Sequence, residues 1–114
     1  MTIKEMADAC GWKLLAGEEG TDAKVDGCYI GDLLSWVMAR ALSGNVWLTV
    51  MGNINAVAVA ALTDVAGVVL AEDAALDEAA RTRAEMQGMP IYSCPENLYE
   101  TALKVAEQLG QGHG

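Results

Sequence analysis

The sequence predicts one α/β domain: a mixed, mostly parallel sheet of about five strands with helices on its faces. Three observations carry this reading. At 114 residues the chain can bury a core without a disulfide or metal staple. Its apolar fraction of 53%, much of it Ala and Val with no Phe, suits helices packed closely on a sheet better than an aromatic-filled sandwich. Short apolar runs alternate with helix-period segments across connections of a few residues, the pattern of right-handed parallel crossovers. The domain is expected over residues 1-110, with 111-114 a flexible tail.

Thr2-Ile3-Lys4-Glu5 has capping-box spacing, and Ile3, Met6, Ala7 and Cys10 share one helical face that Gly11 ends. Trp12 to Ala16 reads as a strand, Gly17 to Asp22 as a polar loop, and Lys24 to Ile30 as a second strand in which Asp26-Gly27 marks a bulge or close approach. Asp32 is placed to cap a helix with Leu33, Leu34, Val37, Met38 and Ala41 as its apolar stripe, closed by Ser43-Gly44-Asn45. Val46 to Val50 is a buried strand. Gly52-Asn53-Ile54-Asn55 then hinges it to Ala56 to Leu62, which alternates like a strand but is rich in Ala and is read as helix. Val68-Val69-Leu70 is an apolar strand with Glu72-Asp73 at its exit. A helix follows, with Asp77 and Glu78 at its start and Gly88 at its end; Ile91-Tyr92 is the last strand. Ser93-Cys94-Pro95-Glu96 has the spacing of a second capping box, opening a helix whose buried face is Leu98, Ala102, Val105 and Leu109.

Sixteen acidic against seven basic residues give a formal charge of −9, which repels phosphate backbones and anionic lipid, so neither nucleic acid nor membrane is an expected partner. Cys10, Cys28 and Cys94 lack the spacing of a disulfide framework or zinc site and read as reduced thiols. The start lacks the pattern of a signal peptide, and the apolar run from Val46 is broken before it can span a bilayer, so a cytoplasmic protein is expected. The lone His113 lies in the tail, where it cannot be held in register with a Ser or Cys nucleophile. There is no P-loop, and the glycines around Tyr29 lack dinucleotide-binding spacing. No catalytic residue, metal ligand or cofactor is assigned.

What remains is the rim at the carboxyl ends of the parallel strands, where such sheets bind ligands. Gly31, Asp32, Gly52, Asn53, Asn55, Glu72 and Ser93 are the residues assigned to a ligand site there. Gly52 to Asn55 would offer backbone amides and two carboxamides to a small polar ligand such as a nucleotide base or ribose; the alternative is a capped turn. Asp32, Glu72 and Asp73 would either meet around a divalent cation, giving a metal-dependent hydrolase or phosphoryl-transfer enzyme, or serve as helix caps and solvated charge. Cys94 is either an activated thiol at a helix start or a small buried side chain. Trp36 and Trp47, with Met6, Met38 and Met51, would form either a homodimer patch or core.

Several strings resemble the DRTGG domain family, relatives of the N-terminal domain of HPr kinase/phosphorylase. They are Gly17-Glu18-Glu19-Gly20, the segment from Val25 to Met38 that includes Gly31-Asp32-Leu33-Leu34-Ser35, and Met89-Pro90-Ile91-Tyr92-Ser93. The resemblance runs from the first helix to about Leu109. The namesake residues differ: Gly52-Asn53 stands where the family tends to carry Asp-Arg, and Ala71-Glu72-Asp73 where it carries Thr-Gly-Gly. Loss of that Arg together with added acids disfavours an anionic ligand. The resemblance implies an HPr kinase N-domain-like fold and a non-catalytic regulatory or oligomerising module. Stand-alone forms are associated with iron-only hydrogenase gene clusters, which implies an accessory role with a protein partner in a redox system.

Overall fold

Backbone hydrogen bonding begins where the first capping box puts it. In a computed structural model, which describes residues 1–110, the Thr2 hydroxyl accepts from the Glu5 N–H at 3.1 Å and the Glu5 carboxylate accepts from the Thr2 N–H at 2.8 Å. These bonds open α1 (Ile3–Cys10), and Gly11 closes it in the left-handed conformation. The described residues continue as β1 (Lys13–Ala16), β2 (Gly27–Ile30), α2 (Leu34–Arg40), β3 (Asn45–Thr49), α3 (Ile54–Thr63), β4 (Gly67–Leu70), α4 (Glu78–Gln87), β5 (Ile91–Ser93) and α5 (Leu98–Leu109). Single 3₁₀ turns lie at Glu18–Gly20 and Ala71–Asp73. The expected tail, with His113, lies outside the described residues.

The sheet has the order β1-β5-β4-β3-β2, parallel from β5 to β2, with β1 antiparallel on the β5 edge. Each step from β2 to β5 moves one strand in the same direction, so right-handed crossovers put all three connecting helices on one face. There α2, α3 and α4 pack around Trp47, Val57, Ala60, Leu70 and Ile91. The other face is covered by α1 and α5, around Ile3, Met6, Leu48, Val69 and Val105. The central strands β3 and β4, roofed on both sides, have every residue buried. The expected mixed, mostly parallel α/β domain is the one observed.

α3 settles the ambiguity of its alternating sequence. Its buried residues, Ala56, Val57, Val59 and Ala60, follow helical spacing on a broad face, because α2 and α4 flank it on both sides. Three expectations are corrected. Lys24 is outside β2 and makes only an isolated bridge to Thr2, because Val25 and Asp26 give their N–H groups to the carbonyls of Met1 and Gly44. The α2 stripe narrows to Val37 with Leu34 and Ala41 beside it, leaving Leu33 and Met38 exposed, because α2 lies over the sheet edge and has a neighbouring helix on one side. Ser93 does not cap α5. Asn97 does, in a capping box with Glu100, because Pro95 and Glu96 still belong to the connection.

Candidate functional site at the strand-end rim

Parallel pairing of β2 through β5 brings the turns at Gly31-Asp32, Gly52 to Asn55, Ala71 to Asp73 and Ser93-Cys94 to one edge, since each follows the carboxyl end of its strand. Much of this rim is structural. Asp32 caps nothing: α2 starts after Leu33 with no side-chain cap. Its carboxylate instead crosses to the next strand and accepts from the Thr49 hydroxyl at 2.6 Å and from the Val50 N–H at 3.0 Å. The Thr49 hydroxyl in turn accepts from the Met51 N–H, and the Trp47 indole donates to the Gly31 carbonyl at 2.9 Å. Gly31 and Asp32 therefore fasten the β2 exit to β3.

Gly52 and Asn53 have comparable duties. A Cβ on Gly52 would lie 1.9 Å from the Ala75 carbonyl oxygen, and the Gly52 carbonyl accepts from the Asp77 N–H at 2.8 Å, so glycine here lets the loop before α3 touch the loop before α4. Asn53 is the N-cap of α3, accepting from the Ala56 N–H at 2.8 Å. Asn55, in the first turn of α3, is exposed and has no hydrogen-bonded partner among the described residues. The same holds for the Glu72 carboxylate, exposed beyond β4, and for the half-buried Ser93 hydroxyl at the end of β5.

Between β4 and β5 the exits diverge, one chain segment leading to α4 on one face and the other to α5 on the opposite face. Doubly wound sheets open a ligand crevice at such a point. Here it is stitched shut by main-chain bonds: the Glu72 N–H donates to the Glu96 carbonyl and the Asp73 N–H to the Cys94 carbonyl, each at 2.9 Å. Glu72 (φ 58°) and Asp73 (φ 53°) hold the left-handed conformation that makes these bonds, at the positions where the resembled family carries paired glycines. Sequence spacing alone carries no signal for the closure; the glycines of the resembled pattern do.

The expected carboxylate cluster does not assemble. Asp32 follows β2 and Glu72 follows β4, with β3 between them, a separation of roughly 10 Å across two strand spacings. Among the described residues no three His, Cys, Asp or Glu side chains are placed to hold a metal ion. Cys94 is buried, its sulfur 3.3 Å from the Thr101 hydroxyl, and desolvation pushes its thiol above the ordinary range despite that contact. Burial likewise raises Cys10, and raises Cys28 to about 11, so all three read as protonated thiols. Of the expected dimer patch, Trp47 and Met6 are core and Met51 packs against it, while Trp36 and Met38 are exposed.

Two clefts lie away from the rim. One, of about 230 Å³, is lined by Lys4, Asp8, Trp12, Glu18, Thr21 and Tyr92 among others. Its ammonium is already paired with Asp8 at 3.1 Å and its Thr21 hydroxyl donates to the Glu18 carbonyl; the buried Trp12 indole N–H has no acceptor among the described residues. Ala23, Lys24, Ser43 and Asp64 line part of a second, shallower one. Sequence reasoning assigned neither, since their walls come from segments far apart in the chain.

A three-layer domain with this sheet order, and a rim formed by four strand exits, belongs to the class of small α/β modules without a nucleotide-binding loop of their own. The DRTGG domain model matches residues 5–108, and the chain belongs to the DRTGG domain family, whose members are regulatory modules. In structure it is similar to the CBS and DRTGG domains of the regulatory region of Clostridium perfringens pyrophosphatase, complexed with the activator diadenosine tetraphosphate. The TM-score is 0.72 at 7% identity, over 91% of this chain and 45% of that one, so the likeness is one of fold and the chain spans less than half of that structure. No curated protein matches the sequence. No helix among the described residues is long and apolar enough to cross a membrane.

Proposed function

We propose that this chain is a non-catalytic regulatory module, acting as a homodimer in the cytoplasm, that binds a small polar ligand of the nucleotide class on its strand-end rim. The observation that carries the reading is the set Asn55, Glu72 and Ser93: polar side chains without hydrogen-bonded partners among the described residues, beyond the exits of three adjacent strands of a DRTGG domain. Gly31 and Asp32 brace the β2 and β3 exits, and Gly52 and Asn53 brace the start of α3 that carries Asn55. A carboxylate, a carboxamide and a hydroxyl on one rim suit the amino and hydroxyl groups of a base and ribose, and leave any phosphate of the ligand directed away from Glu72. The activator bound to the Clostridium perfringens regulatory region gives the nucleotide class its support. The rim is preferred to the cleft at Trp12 because it gathers the carboxyl ends of the parallel strands, where sheets of this kind bind ligands. The setting implied by the family resemblance is an accessory role beside a protein partner in a redox system.

The test is a thermal-shift screen with adenine nucleotides and dinucleotides, diadenosine tetraphosphate included. At a hundredfold excess over Kd a ligand adds about 2.7 kcal/mol, a rise on the order of 10 °C for a domain of this size. The double variant Asn55→Ala, Ser93→Ala should lose the shift while keeping the circular dichroism of the parent. A screen in which no nucleotide raises the melting temperature removes the ligand from this reading.

A further inference from the structure

We propose that the cleft beside Trp12 binds one free apolar α-amino acid, its carboxylate held by the Trp12 and Tyr92 side chains and its ammonium by the carboxylates of Asp8 and Glu18. The site lies away from the rim and goes beyond the ligand proposed there. The cleft holds about 230 Å³. Sites for drug-sized ligands span roughly 300–1,000 Å³, so this one suits a single small metabolite and not a dinucleotide. Its inner wall is aromatic. Trp12 (7% exposed) and Tyr92 (3%) belong to the core beneath α1 and α5, their rings tilted at 52° with centroids 6.1 Å apart. A buried Trp or Tyr ordinarily finds a partner for its polar atom. Here the indole N–H has no acceptor, and the Tyr92 hydroxyl no partner, among the described residues. Burial, and then the nearby Asp8 carboxylate, push the Tyr92 hydroxyl up, so it remains a protonated donor. Two free donors on one wall ask for an acceptor, and a buried donor left unpaired is costly.

The charges at the mouth decide which acceptor. Lys4, Asp8 and Glu18, all exposed, line it, and Leu14, opposite Tyr92 in the β1–β5 pairing, adds an apolar wall. Lys4 and Asp8 form an exposed pair at 3.1 Å, of the kind that contributes little and parts readily. The Glu18 carboxylate has no partner among the described residues. A plain carboxylate or phosphate would meet the two inner donors and one ammonium, but also two carboxylates that repel it. A plain amine would satisfy those carboxylates and leave both inner donors unpaired. A zwitterion answers both. Its carboxylate accepts from Trp12 and Tyr92 with the Lys4 ammonium at hand, its ammonium donates to Asp8 and Glu18, and an apolar side chain lies against Leu14 and the rings.

Proton–nitrogen correlation NMR of the indole N–H groups in the full chain, titrated with L-leucine, L-methionine and L-phenylalanine, tests this. The three tryptophans give three indole signals, and Trp12→Phe identifies that of Trp12. At least one of these amino acids is expected to move the Trp12 signal downfield and saturably at millimolar concentration, leaving those of Trp36 and Trp47 in place. Tyr92→Phe and Glu18→Gln should each weaken the binding at least about tenfold, and so should removing either charged end of the ligand, as its amide or as its analogue without the amine. Circular dichroism shows that each variant keeps the fold, and Glu18→Gln, at an exposed side chain, suffices if Tyr92→Phe unfolds. A Trp12 signal that none of the three amino acids moves overturns the inference. So does binding that both variants leave at full strength, or an amide or amine-free analogue that binds as tightly as its parent. The nucleotide screen reads another surface and is decided separately.

Discussion

Glu72 and Asp73 show how much one residue's backbone can decide. Both hold positive φ so that their N–H groups reach the carbonyls of Glu96 and Cys94. A left-handed residue with a side chain costs roughly 1–2 kcal/mol, against roughly 0.5–1 kcal/mol of extra chain entropy for glycine. Glu72→Gly should therefore raise stability by about 0.5–1 kcal/mol in thermal or urea unfolding, and Asp73→Gly by less, because Asp tolerates this region better. A loss of stability in Glu72→Gly would mean that the Glu72 side chain holds the turn. Asp32 makes the opposite point: its type and position suit a helix cap, yet its carboxylate serves Thr49 and Val50, 17 and 18 residues on. Local spacing could not register a partner on the neighbouring strand.

At the scale of elements, boundaries follow from which side chain satisfies the free amides of a helix start. The two capping boxes that form are Thr2 with Glu5 and Asn97 with Glu100; the Ser93-to-Glu96 spacing is a coincidence of composition in a connecting segment. Asn97→Ala should cost about 1 kcal/mol in urea unfolding, and Ser93→Ala under about 0.5 kcal/mol. The reverse order would restore the cap at Ser93. α2 and α5 both read as amphipathic, but α5 packs its expected face, Val105 buried and Leu98, Ala102 and Leu109 half-buried, against α1 and the sheet, whereas α2 overhangs the edge strand β2 and leaves Leu33 and Met38 of its stripe exposed. Periodicity reports that a face is apolar; it does not report how much of that face finds a neighbour.

For the whole molecule, the sheet order makes β3 and β4 the interior of a three-layer stack, with β1 and β2 as its edges. Native-state hydrogen exchange should be slowest at Val46, Leu48 and Val69 and faster in β1 and β2, because central amides are released only by global opening. Equal protection in β2 would show that its edge is covered by something this chain alone does not supply. The same topology that sets the core gathers the four parallel-strand exits on one rim.

By itself the sequence determined the elements, their mixed and mostly parallel arrangement, the helical state of Ala56 to Leu62 and the DRTGG family. Each of these is written in local spacing, in composition, or in strings such as Gly31-Asp32-Leu33-Leu34. Tertiary structure alone decided that Asp32 serves β3, that the β4–β5 crevice is closed, that the carboxylates stand apart and that Trp47 is core while Trp36 is bare. The physical reason is common to all four. Each depends on which segment lies across a strand spacing or a helix contact, and that neighbour is set by the order of strands in the sheet rather than by residues near in the chain.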